Sequence, residues 1–142
     1  MHATHELLIE APLARVWDLT LSVERWPDIT PTMTRVERLD SGPLRVGSRA
    51  RVTQPRMRPA IWTVTTLEPG AHFVWEARVL GAHLVGGHHL TPTAGGCRNT
   101  LTLDVDGWSA PLLTLLAGSA MRAAIVTENE GFRRAAEDDP SA

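Results

Sequence analysis

The segment Ala11–Pro31, APLARVWDLTLSVERWPDITP, constrains the fold more than any other stretch of this chain. Pro12 sits where a helix can start, and Ala14, Val16, Trp17 and Leu21 recur at helical spacing. Ser22 is placed to cap a second short helix, which Pro27 is expected to stop within about two turns. A strand-like run, Thr4–Ile9, precedes the pair. Five or six strand-like runs follow it, and one long helical segment, Ala110–Glu137, closes the chain. Pro111 lies in the first turn of that segment, with Ser109 as its expected cap. The order predicts an α+β fold: a curved antiparallel sheet of about six to seven strands wrapped around the C-terminal helix, with two short helices after the first strand. A sheet closed on one side by a helix leaves a cavity, and function is expected there.

At 142 residues the chain is long enough for a single domain, residues 1–142, with one sizeable core. A formal net charge of -2 gives no electrostatic case for nucleic acid. No apolar run is expected to approach the roughly 20 residues that span a bilayer, so no membrane partner is expected. MHATHELLIEAP carries no basic leader followed by an apolar stretch, and the one cysteine, Cys97, has no internal partner. Both point to the cytoplasm. A monomer or a homodimer fits equally.

The absences narrow the chemistry. All 14 basic residues are arginine and there is no tyrosine, which excludes a Schiff-base lysine and a tyrosine general acid. Cys97 follows Gly95-Gly96 in what reads as a hairpin turn, a poor place for a buried nucleophile. Tryptophan supplies 5 of the 7 aromatic residues, so large flat apolar groups are plentiful.

Turn signals set strands at Ser48–Gln54, Ala60–Leu67, His72–Leu80, His83–Thr91 and Asn99–Asp106. Pro55 and Pro59 make the intervening loop stiff. Glu68-Pro69-Gly70-Ala71 suits a type II turn, and Gly81-Ala82 suits the centre of a type II′ hairpin. Pairing Glu68 with Ala71, Leu80 with His83 and Thr93 with Gly96 sets Val64 opposite Trp75, Trp75 opposite His88, and His88 opposite Leu101. One face then holds Trp62, Val64, Phe73, Trp75, Ala77, Val79, Leu84, Gly86, His88, Leu90, Leu101, Leu103 and Val105. The other holds Thr63, Thr65, His72, Glu76, Arg78, His83, His89, Thr102 and Asp104. A slip of one residue would destroy this division into apolar and polar.

The chain resembles a polyketide cyclase/dehydrase-type member of the START/Bet v 1-like superfamily, the helix-grip or SRPBCC fold. The resemblance is carried by Ala11-Pro12 with Val16-Trp17-Asp18, then Glu24-Arg25-Trp26-Pro27, Val46-Gly47-Ser48 and Gln54-Pro55. Trp62-Thr63-Val64, Glu68-Pro69-Gly70, Phe73-Val74-Trp75-Glu76, Gly81 and His88 complete it. It runs almost end to end, through the order and spacing of motifs that are individually weak. It implies a fold and a cavity rather than one chemistry: members bind lipids, hormones, sterols or polyketides, and some catalyse cyclisation or dehydration.

His88 is the sharpest candidate on the apolar face. It is a structural histidine, a hydrogen-bonding ligand contact, or a general base. With no acidic residue assigned to its face, desolvation alone is expected to act on it and keep it neutral. Trp62, Val64, Phe73, Trp75, Ala77, Gly86 and Leu101 are the expected ligand contacts beside it, with Trp26 at the rim. Paired indoles beside Ala77 and Gly86 combine bulk with gaps, which suits a flat or polycyclic apolar ligand. Taken alone, either indole reads as plain core. Trp108 begins the last helix and suits core or cavity. Met33, Met57 and Met121 would make adaptable walls if they face inward. The small residues Ala117, Gly118, Ser119, Ala120, Ala123 and Ala124 let the last helix lie close to the sheet or leave room beside it.

Metal and cofactors find no support. His88 and His89 point to opposite faces, and His83 and His89 lie about 20 Å apart along a strand. Gly86-Gly87 and Gly95-Gly96 lack a phosphate-loop context, so no cofactor is expected. Arg49, Arg51, Arg56 and Arg58 cluster near one loop. Arg56 and Arg58 either meet an acidic ligand group at a cavity mouth or are simply solvated. The expected function is a binding protein with an internal apolar cavity for an aromatic, polyketide-like or lipid-like molecule. The alternatives are a polyketide aromatase/cyclase or dehydratase working by proton transfer, and an interaction module whose cavity is too small for a ligand.

Overall fold

The structure, a computed structural model, describes residues 1–138. In chain order it comprises β1 (His2–Ile9), α1 (Leu13–Leu21), a single 3-10 turn (Val23–Arg25), α2 (Trp26–Ile29), β2 (Arg35–Arg38), β3 (Arg49–Thr53), β4 (Ala60–Glu68), β5 (His72–Val79), β6 (Ala82–Thr93), β7 (Gly96–Gly107) and α3 (Ala110–Glu137). The strands form one antiparallel sheet in the order β1-β7-β6-β5-β4-β3-β2. β1 and β7 join early and late parts of the chain, and α3 packs mainly on these two strands. This is the helix-grip arrangement that the element order predicts. The sequence after Glu137 reads as a short tail that is expected to fray; beyond Asp138 it lies outside the described residues.

Two expectations about the short helices need correction. Pro27 does not stop a helix; it opens α2, in the first turn, where its missing N–H is not needed. Ser22 caps nothing with its side chain, and its hydroxyl donates instead to the Asp18 carbonyl at 2.7 Å. Ser109 likewise makes no side-chain cap for α3.

The hairpins differ in detail from the predicted register. The β6–β7 pairing sets Thr93 opposite Gly96 and His88 opposite Leu101, as expected. In the β4–β5 hairpin Glu68 faces His72, and an irregularity between Val64 and Thr66 restores the expected Val64–Trp75 pair. The β5–β6 hairpin is displaced by two residues: Val79 faces Ala82, Trp75 faces Gly86, and Phe73, not Trp75, faces His88. Leu80 (φ +49°) and Gly81 (φ +84°) both take positive φ, which makes them the centre of a type I′ turn in place of the expected Gly81-Ala82. Because side chains alternate with period two, a shift of two leaves every residue on its predicted face.

The core follows from that face. Trp26 is fully buried. Its indole N–H donates to the Leu19 carbonyl at 3.0 Å, and its ring meets Phe73, Trp75 and Phe132 edge-on, with centroids 5.8, 5.1 and 5.7 Å away. Burying each such side chain contributes on the order of 2–3 kcal/mol. A polar bolt joins α3 to the sheet. Asn99 donates to Asn129 Oδ1 at 2.9 Å, while Asn129 donates to the Asn99 and His5 carbonyls at 3.0 and 3.2 Å. Cys97 lies in β7 rather than in a turn, fully buried, and burial pushes its thiol above its ordinary pKa. Such a thiol is a packing group, not a nucleophile.

α3 corrects one further expectation. It is long and apolar enough, by length and composition, to cross a membrane. Strictly apolar runs are short, but Arg122 is the only charge between Ala110 and Thr127. In the fold it is the helix that the sheet grips. Leu112, Leu115 and Leu116 on its first turns are exposed, as are Trp108 and Leu80; the Trp108 ring lies over Gly81, where any Cβ would strike it.

Candidate functional site

Between α3 and the concave face of the sheet lies a cavity of about 480 Å³. Trp62, Trp75, Leu84, Gly86 and Leu103 form its sheet wall. Ala117, Ala120, Met121, Ala124, Ile125 and Glu128 form its helix wall. Thr32, Met33, Gln54, Pro55, Arg56 and Met57 close the third side from the loops. The void has a simple cause. At Ala117, Ala120 and Ala124 the helix presents methyl groups where larger side chains would reach the sheet, and at Gly86 the sheet presents no side chain. A Cβ built on Gly86 meets Trp75 at 3.5 Å and Trp62 at 3.6 Å, ordinary contact distances, so this glycine leaves real space.

The expected ligand contacts divide. Trp62, Trp75 and Gly86 line the cavity, and so do Met33, Met57 and Met121. Val64, Phe73, Ala77 and Leu101 share the concave face but are buried away from the cavity wall. Trp26 is not at the rim; α2 carries it into the core, against Phe73 and Phe132. His88 is 4 % exposed and stands one layer behind the wall. Its ring lies against Trp26, tilted at 34° with centroids 4.9 Å apart, between the edges of Phe73 and Phe132.

The expectation that no acid reaches His88 is overturned. Glu128, from α3, places Oε1 3.3 Å from His88 Nε2, and both side chains are largely buried. His88 Nδ1 has no hydrogen-bond partner among the described residues. Glu128 also lines the cavity, so it is the carboxylate through which the buried imidazole meets the cavity. The sequence does carry a signal for Glu128. Ala117, Met121, Ala124 and Glu128 fall at successive three- and four-residue steps, one stripe of a helix.

The outer face of the sheet carries the remaining polar groups. His83 lies 2.8 Å from Glu76 and 3.4 Å from Asp106. The predicted register hides one pair: His72 and His89 are directly opposite, with Nδ1 atoms 2.8 Å apart. Burial first, then the charges of His72 and His88, holds His89 below its ordinary pKa. Asp40 is held low by the Arg49 backbone N–H and by Arg38. Among the described residues no three histidine, cysteine or acidic side chains come together as a metal site.

A seven-stranded sheet curled on a long terminal helix, with a cavity between them, defines the helix-grip class. The chain belongs to the family described as polyketide cyclase/dehydrase and lipid transport, whose model matches residues 1–137. It is similar in fold to TTHA0849 from Thermus thermophilus, with 18% identity, TM-score 0.79, and 99% of this chain and 100% of that chain covered. It is similar to the Zhui aromatase/cyclase from Streptomyces sp. R1128, with 18% identity, TM-score 0.70, and 95% of each chain covered. It is also similar to norcoclaurine synthase from Thalictrum flavum, solved with dopamine and hydroxybenzaldehyde, with 13% identity, TM-score 0.77, and 100% of this chain and 89% of that chain covered. No curated protein matches the chain in sequence.

Proposed function

We propose that this protein binds a flat, mostly apolar small molecule in the cavity between α3 and the sheet. One observation carries the reading: the cavity of about 480 Å³ is walled by two indoles, three methionines and a line of alanines. That volume falls in the range of small-molecule sites, about 300–1,000 Å³, which disfavours a role as an interaction module with a vestigial interior. Indole faces suit aromatic rings, and methionine walls adapt to their outline. Family membership supports the same reading. So does the presence of two aromatic ligands in the norcoclaurine synthase structure. The test is calorimetric titration with 2-naphthol, on the natural chain and on Gly86→Leu, which fills the gap beside Trp62 and Trp75. Saturable binding to the natural chain, weakened at least about tenfold in the variant, is expected. Binding that ignores Gly86→Leu would place the ligand elsewhere.

A second reading, dehydration with aromatisation, is favoured by the buried Glu128–His88 pair. Glu128 lines the cavity and His88 does not, so the carboxylate would meet substrate and the imidazole would position it. The carboxylate takes a proton from the carbon next to a ketone. The bond from the neighbouring carbon to its hydroxyl then breaks, and the proton returns to that oxygen, which leaves as water. 4-Hydroxy-2-tetralone, which loses water to give 2-naphthol, is a matched probe. If the reading holds, Glu128→Gln lowers the rate by about 10²–10⁴. Unchanged turnover in that variant, or none in the natural chain, refutes catalysis and leaves binding intact.

A further inference from the structure

The cavity wall is apolar apart from a few groups, and two of these are charged. Glu128 occupies the buried end. Its side chain is 12% exposed, it faces His88, and no arginine pairs with it among the described residues. A buried carboxylate beside an apolar void accepts hydrogen bonds, and leaving that capacity unmet is costly. Arg56 occupies the open end, exposed, with no hydrogen bond or ion pair among the described residues.

The backbone at Arg56 makes its position informative. Gln54-Pro55-Arg56-Met57 is a turn closed by Met57 N–H to the Gln54 carbonyl at 3.2 Å, with proline second and a positive φ third. Arg56 has φ +64°. That third position of a type II turn belongs to glycine or asparagine. A bulky residue held there is strained, and such strain clusters at ligand sites. A glycine would relieve it and would lose the guanidinium at the mouth. Arg58, two residues on, is also exposed but does not line the cavity.

From these two ends we infer that the ligand is bipolar: a flat apolar body with a hydroxyl group read by Glu128 and an anionic group, carboxylate class, read by Arg56. A plain hydrocarbon would leave Arg56 without a partner and Glu128 with His88 alone. This rests on the binding reading given above and deepens it. Guanidinium to carboxylate and hydroxyl to carboxylate are both charge-assisted hydrogen bonds, and each fixes one end of the molecule.

The test is a cycle of ligands and variants, followed by calorimetry. The probes are 6-hydroxy-2-naphthoic acid, 2-naphthoic acid, 2-naphthol and naphthalene. The variants are Glu128→Leu and Arg56→Asn; asparagine tolerates the positive φ and so keeps the turn. In the natural chain each polar group is expected to tighten binding about tenfold over its absence. Glu128→Leu should erase the gain from the hydroxyl and keep that from the carboxylate. Arg56→Asn should do the reverse. Circular dichroism checks that both variants are folded; if Glu128→Leu is not, Glu128→Gln takes its place and should shrink the hydroxyl gain. If all four probes bind alike, or the variants do not separate the two gains, the bipolar assignment is wrong and the cavity reading stands. If no probe binds at all, the cavity reading falls, and this inference with it.

Discussion

Glu128 shows how much one residue can change the reading of a site. The alternation of strand residues identifies His88 as buried on the concave face, because period two is strict in a sheet. Nothing in strand periodicity says what a helix across the cavity will bring to it. The rotation of α3 about its axis is set by tertiary packing, including the Asn99–Asn129 bolt, which puts Asn129 inward and so carries Glu128 to the cavity wall. Arg56 was legible as a candidate at the mouth, but not the positive φ that singles it out from Arg58. Burial and the neighbouring His72 hold His89 below its ordinary value of 6.5. His72 faces it from β5 and Thr102 from β7, and Glu68 lies 3.8 Å from His72. The unfolded chain therefore binds this proton more readily than the folded one. Stability is full above the unfolded pKa and falls as pH drops through it, until the folded value is passed. Urea denaturation at pH 8 and at pH 5.5 is expected to show that loss, with a smaller loss in His89→Asn. Equal losses in the two proteins would remove His89 as the source.

At the scale of elements, the sequence announces what periodicity and turn chemistry govern, and is silent on what close packing governs. The bounds of α3 and the faces of β4 to β7 follow from pattern. The type I′ turn at Leu80-Gly81 does not, since leucine is an uncommon residue at φ +49°. That single turn displaces the β5–β6 register by two, and with it conceals the His72–His89 pair. Gly131 is a second such case. In sequence it looks like a weak point in a helix. In the fold, a Cβ there would run into the Ile29 carbonyl oxygen, so glycine is what lets α2 lie on α3. Gly131→Ala tests the balance. Helix propensity favours alanine by about 1 kcal/mol. A clash with backbone cannot be relieved by a side-chain rotation and costs about 1–3 kcal/mol. A net loss of stability is expected in urea denaturation. A gain near the propensity value would mean that the two helices do not make this contact.

For the whole molecule, the fold and the existence of a cavity were both readable, because one strand, two short helices, a run of strands and a long helix have few ways to pack. The volume and the lining were not, since they depend on which loop side chains close the third side. The proposed binding mode puts a flat ligand in the space beside Trp62 and Trp75. The five tryptophans give it a direct test, because each indole N–H has its own NMR resonance and their environments differ. Trp62 and Trp75 line the cavity, Trp17 and Trp26 are buried in the core, and Trp108 is exposed. Titration of the 15N-labelled protein with 2-naphthol, with resonances assigned by single Trp→Phe variants, should move the Trp62 and Trp75 signals saturably and leave Trp17 and Trp108 in place. Movement of Trp108 alone, or of none, would contradict that binding mode.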